Sequence, residues 1–192
     1  SNATGVVAGG DVTDVRINCP LQPSTVYDIK QQLKSGEVAR ENILVTACKA
    51  GQGYNLQTIQ GDIEFAGTDF SGIYAPDNTT DCVSHRVGDR VDVTRAETAN
   101  FFGEVQLADV TLEVVSRNNT LPNPVIITAA SVAGNTNSPL NAVLVEVQNV
   151  EVTSVNPPAD EFTVDTDLAI IGRAFVAAPF PDVGATFQFI RG

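Results

Sequence analysis

Nucleophilic catalysis needs a nucleophile, a base and a group that orients the base, and one stretch of this chain could supply the first two: Ser84-His85-Arg86. His85 is the only histidine. It lies in a polar loop, and no H-E-x-x-H, G-x-S-x-G or phosphate-cradling glycine loop accompanies it, so the reading is a solvated histidine and no catalytic residue. The Gly51-Gln52-Gly53-Tyr54 stretch reads as a turn between strands.

Carboxylates are the next chemistry to weigh, because Ca²⁺ takes several carboxylate and carbonyl oxygens. Asp165 and Asp167 in VDTD, and Asp77 and Asp81 around Asn78-Thr79-Thr80, are the pairs to consider. Neither lies in a D-x-D-x-D-G loop, so surface carboxylates, with no metal site and no cofactor, are the expectation. Arg86, Arg90 and Arg95 could form a local basic strip, but alternation along a strand favours ion pairs with neighbours such as Asp89 and Asp92.

Charge limits the partners. Eleven Lys and Arg stand against 23 Asp and Glu, a net charge of −12, and the deficit is shared by both halves of the chain. Phosphate backbones are held largely by Lys and Arg that release counterions, so tight nonspecific nucleic-acid binding is disfavoured. The cysteines, Cys19, Cys48 and Cys82, show no zinc-like spacing. In an exported protein they imply one disulfide and one buried thiol. Cys48 ends an expected strand and Cys82 lies in the long loop before the strand expected beside it, which favours that pair, although any two of the three could join.

The elements that must position these residues are mostly strands. Ser1-Asn2-Ala3 resembles the remnant of a cleaved tag, and with no Met in the chain the expectation is a piece of a longer precursor whose missing part could include a signal peptide. Residues 1–23 read as that remnant and an extended lead-in, with a strand around Val12 to Ile17. In STVYDIKQQLKSG, Ser24 can cap, Val26, Ile29 and Leu33 share one helical face and Gly36 can close the end, which predicts one short helix of about two turns. NILVTACKA, YNLQTIQ, SGIYAP, RVDVTRAE and EVQLADVTLEVV then alternate with period two and predict five strands, enough for a small closed barrel over residues 24–117. Asn118 to Val125, with two prolines and no periodicity, reads as a linker. From residue 126 to 192 the order starts again: VIITAASVA as a short strand and turn, LNAVLVEVQNVEVTSV, EFTVDTD, LAIIGRAFVA and VGATFQFI as strands. A fifth long strand is lacking there, so it either lies after Gly192 or comes from elsewhere, for instance residues 4–23.

Two stretches carry a resemblance. VGDRVDVT, from Val87, is answered half a chain later by VGATFQFI, from Val183, and each enters a strand straight after a Val-Gly turn. Gly88 permits the unusual backbone of a tight turn, Asp89 can bond the turn amides, and Val91 and Val93 then face one way while Arg90 and Asp92 face the other. With Gly103, Gln106 and Leu107 following, residues 24–117 resemble the OB-fold-like domains of bacterial extracellular proteins, including those ahead of secreted endonuclease/exonuclease/phosphatase domains. Their pattern is similar to VGD-x-V-x-V-x-G … E-x-x-G-x-T-Q-L; this chain departs from it near Arg95, where glycine is expected, and at Val105, where Thr is common.

The resemblance implies an all-β chain of two tandem OB-fold-like small β-barrels with one short helix, the second of them incomplete as the chain stands. It implies a noncatalytic accessory or binding module of a secreted or cell-surface protein, with another domain of the same precursor as partner and no membrane-spanning segment. It also allows nucleic acid as a partner, by association with nucleases, against which the charge argues. A structural or adhesive tandem β spacer, whose acidic surface either binds calcium or keeps the protein soluble, is the alternative. Ligands of OB folds cross the second and third strands and the adjoining loops, where aromatics stack on bases or sugars. By position those aromatics are Tyr54, Phe70, Tyr74, Phe101 and Phe102.

Overall fold

The computed structural model describes residues 21, 23–132, 138–159, 161–165, 168–171 and 180–192. Helix α1 spans Val26–Lys30, and strands β1 to β5 span Glu37–Lys49, Gly53–Gln57, Gly72–Pro76, Arg90–Phe101 and Glu104–Ser116. They close into a barrel in the order β1-β2-β3-β5-β4. All its ladders are antiparallel except that of β3 with β5, which meet in parallel at Tyr74 and Gln106. This is the five-stranded connectivity expected of an OB-type barrel. The strands form because β-branched residues recur at every second position, so that Val91 and Val93 turn inward while Arg90 and Asp92 turn out. Ile43, Val45, Leu56, Ile73 and Leu107 meet them inside; each such side chain, fully buried, contributes about 1.5–3 kcal/mol.

Helix α1 packs Val26 and Ile29 into that same core. It is shorter than its sequence suggests. Thr25, not Ser24, is the cap, accepting from the Asp28 N–H through its hydroxyl, and Gln32 adopts a left-handed φ of 59° that ends the helix. The N–H groups of Leu33 and Lys34 then turn back onto the Asp28 carbonyl. Leu33 is thereby thrown outward, 68% exposed, instead of extending the buried face.

The second half holds β6 (Val125–Ile127), α2 (Ala129–Val132), β7 (Val145–Asn156), a 3₁₀ turn at Pro157–Ala159, β8 (Glu161–Val164), β9 (Leu168–Ile171) and β10 (Thr186–Arg191). VIITAASVA is therefore a short strand followed by one helical turn. The sheet runs β10-β7-β8-β9, with β6 parallel to β7. Position for position this is the β4-β1-β2-β3 arc of the barrel, and among the described residues it does not close. Its core gathers Val147, Val150, Val152, Phe162 and Val164.

The two Val-Gly turns are one structural event built twice. Gly88 and Gly184 have φ of 88° and 87°. The Gly88 N–H donates to the Val45 carbonyl at 2.9 Å and the Val45 N–H to the Asp89 carbonyl at 2.9 Å; Gly184, Val152 and Ala185 repeat both bonds at 2.8 Å. Ile43 pairs with Val91 as Val150 pairs with Phe187, and Asn42 and Asn149 share a φ near 50° (51° and 53°). Among the described residues no helix is long and apolar enough to cross a membrane.

Candidate functional site

The five aromatics do not form one platform. Tyr54 shares an inward face of β2 with Leu56 and is 3% exposed, so it belongs to the barrel core and presents no ring to a ligand. Burial raises its phenol pKa, and its hydroxyl lies 3.5 Å from His85 Nδ1. Phe70 is half-buried in the β2–β3 loop, with a left-handed φ of 61°. Its backbone N–H is held by the Pro139 carbonyl at 2.6 Å. Tyr74 is half-buried on β3, its hydroxyl donating to the Gln52 carbonyl at 2.8 Å and its pKa raised first by burial and then by Glu104. Beside that bond an open cleft runs between the β1–β2 turn and β5, lined by Gln52, Pro76, Asp77, Asn78 and Asp109.

Phe101 and Phe102 are different. They form the tip of the β4–β5 hairpin, 62% and 83% exposed, with ring centroids 4.6 Å apart and planes at 77°. Adjacent strand residues face opposite ways, and one exposed ring would follow from that alone. Both are exposed because Phe102 leaves the strand. With Gly103 it makes a two-residue turn with φ of 50° and 91° between the paired Phe101 and Glu104, and Asn100 Oδ1 accepts from the Gly103 N–H at 2.9 Å. Such turns select Asn, Asp or Gly at the first central position, and a bulky ring there is a costly choice.

The loop between β3 and β4 carries the histidine. Cys48 and Cys82 form a disulfide, Cα atoms 5.8 Å apart, that pins this loop to the end of β1. His85 is packed as well as polar: its ring meets Tyr54 edge-on at 5.8 Å and its Nε2 lies 3.2 Å from the Leu112 carbonyl. Nearby, Asp81 accepts from the Val83 and Ser84 N–H groups and the Ser84 hydroxyl, which holds its carboxyl down at about 2. Asp77 is bonded in the same manner to Thr79, whose hydroxyl and N–H lower its pKa. These oxygens are engaged in their own turns and do not converge. Asp165 accepts from the Glu151 N–H, and Asp167 lies outside the described residues, as do Cys19 and the strand expected at residues 12–17. Among the described residues no three His, Cys, Asp or Glu side chains gather where a metal ion could sit.

Arg90 and Arg95 are paired with carboxylates, though not with the expected neighbours, while Arg86 donates its Nε to the Val83 carbonyl. Arg90 meets Asp62 at 2.8 Å and Arg95 meets Glu37, both partners lying on other segments. Asp89 instead accepts from the Arg86 backbone N–H and from Arg117 Nη1, and Asp92 accepts from the Asn42 N–H. A strand pattern shows which residues share a face but not which loop will cover it.

Sequence reasoning missed two features. The first is Lys30, 2% exposed, whose ammonium has no hydrogen-bond partner among the described residues; burial lowers its pKa, partly offset by Glu104. The second is Ser138–Leu144: the strand expected from Leu140 begins only at Val145, and this stretch instead lies against the β2–β3 face through Phe70, Gln57 and Gly72. A buried Gln in a strand was the only available hint of it. The chain matches no protein-family model, no curated protein and no solved structure.

Proposed function

We propose that the chain is a noncatalytic binding module of a secreted or cell-surface protein, built as two tandem β units over residues 24–117 and 126–192. Its contact surface is the tip of the β4–β5 hairpin. The observation that carries this reading is Phe102, an exposed ring whose one aromatic neighbour is the likewise exposed Phe101, held at φ 50° in a turn that Asn or Gly would make at less cost. Packing gives no reason for that residue, since the ring touches no core; recognition does. Two exposed aromatic rings at the β4–β5 loop supply stacking or apolar contact where OB folds take their ligands. The Cys48–Cys82 disulfide supports an oxidising location.

The ligand is neutral rather than polyanionic, because Arg90 and Arg95 are already engaged by carboxylates and the net charge is −12. Retention on bacterial cell-surface polysaccharide, and anisotropy with single-stranded DNA at low salt, test the two chemistries. Retention that disappears in a Phe101→Ser/Phe102→Asn double variant is the expected result, with no DNA binding at ~50 µM, since even nonspecific binders reach ~10⁻⁴ to 10⁻⁶ M. Equal retention of the double variant refutes the tip as the contact surface.

A further inference from the structure

We propose that Ser138–Leu144 is a strap by which the chain occupies part of the barrel's own ligand face, at Gln57, Phe70 and Gly72, joining barrel and second sheet into one rigid body. Three costs in sequence freedom meet at that seam. Phe70 adopts the left-handed region, and from there its N–H meets the Pro139 carbonyl at 2.6 Å. Gln57, 4% exposed on a barrel strand, spends its amide oxygen on the Leu144 N–H at 3.0 Å, while its amide nitrogen is held by Ser71 Oγ at 3.3 Å. Gly72 has ordinary strand backbone, yet a Cβ there would collide with the Ala142 carbonyl and the Val143 nitrogen, so the glycine is required by the strap and not by the strand. The strap turns on itself as well: Ser138 is 4% exposed, and its hydroxyl and carbonyl accept from the Leu140 and Asn141 N–H groups.

Gln57, Phe70 and Gly72 belong to the second strand, the third strand and their joining loop, the surface on which OB folds lay their ligands. Resting on the function proposed above, the consequence is that a long ligand running from the Phe101-Phe102 tip meets an end-stop at Gly72. The docking itself does not depend on any ligand and is tested without one.

Residual dipolar couplings of backbone amides in the intact chain report the relative order of the two sheets. A single alignment tensor fitting β1–β5 together with β7, β8 and β10 is expected. Gly72→Val displaces the strap from the barrel side, and Leu144→Pro removes the donor that Gln57 accepts from the strap side. Each is expected to split the couplings into two tensors while leaving the shifts of Val91, Val93, Phe187 and Phe189 within their own sheets. The two substitutions lie on opposite sides of the seam, so a folding defect in one unit is not repeated by the other variant. Two tensors in the unaltered chain, or one tensor kept by folded chains of both variants, overturns the proposal.

Discussion

The turn at Gly88 and the turn at Gly184 share backbone, bonds and register, yet one sits in a closed barrel and the other, among the described residues, on an open arc. The difference lies in what surrounds the glycine. After Gly88 comes Asp89, 2% exposed, whose carboxylate gathers the Arg86 N–H and the Arg117 guanidinium, while Asn119 bonds the Gly88 carbonyl from beyond β5. After Gly184 comes Ala185, which can do none of this with its side chain. The glycine therefore launches the strand in both places, and side-chain bonds to residues beyond β5 secure the seam in only one. Among the described residues, the same turn geometry occurs both with and without barrel closure.

The largest expected effect separates the two regions by oxidation state. The Cys48–Cys82 bridge closes a separation of 34 residues, for which loop entropy gives about 3–4 kcal/mol. A Cys48→Ala/Cys82→Ala variant should lower the barrel's unfolding free energy by that amount, measured by denaturant unfolding, and leave the second sheet's amide exchange unchanged; a common shift of both would deny them separate stability. Next comes Asp89→Ala, which removes buried charge-assisted bonds and should cost the barrel about 1.5–3 kcal/mol, measured by urea unfolding. The mirror substitution, Ala185→Asp, should instead destabilise the second sheet, because Ala185 packs against its core and no described side chain occupies the place of Arg117.

Smaller and opposite in sign is Phe102→Asn. It relieves a left-handed aromatic and should raise barrel stability by about 1 kcal/mol while abolishing ligand retention. Gain of stability with unchanged retention would leave the tip without a role. Smallest is the acid response of the β3–β4 loop. Asp81 is held at about 2, below the ordinary aspartate value, so its contribution is complete above about pH 4 and is lost as pH falls through 2. Exchange of the Val83 and Ser84 amides should therefore quicken in that window, and Asp81→Asn should flatten the response.

The strands were legible because valine, isoleucine and threonine recur with period two, and the duplicated turn because glycine at positive φ leaves few alternatives. The same rule held the answer for Tyr54, which shares parity with Leu56 and so had to face the core. The partners of Arg90 and Arg95 were not legible, since Asp62 and Glu37 reach them from segments with no local signal. Leu33 escaped its helix because Gln32 reversed the backbone, a choice that no side-chain periodicity records. The strap is the extreme case: its anchors are backbone groups, which every sequence possesses.

Gln57 ends in an amide with two unlike faces, an oxygen turned to Leu144 and a nitrogen turned to Ser71, whose own hydroxyl hydrogen already points at the Thr68 carbonyl. Glutamate would present oxygen to both neighbours and find a donor on one side alone; methionine would leave both unanswered. A single terminal group thus acts as a polarity key between strap and barrel, one that neither a carboxylate nor a thioether of the same length can replace.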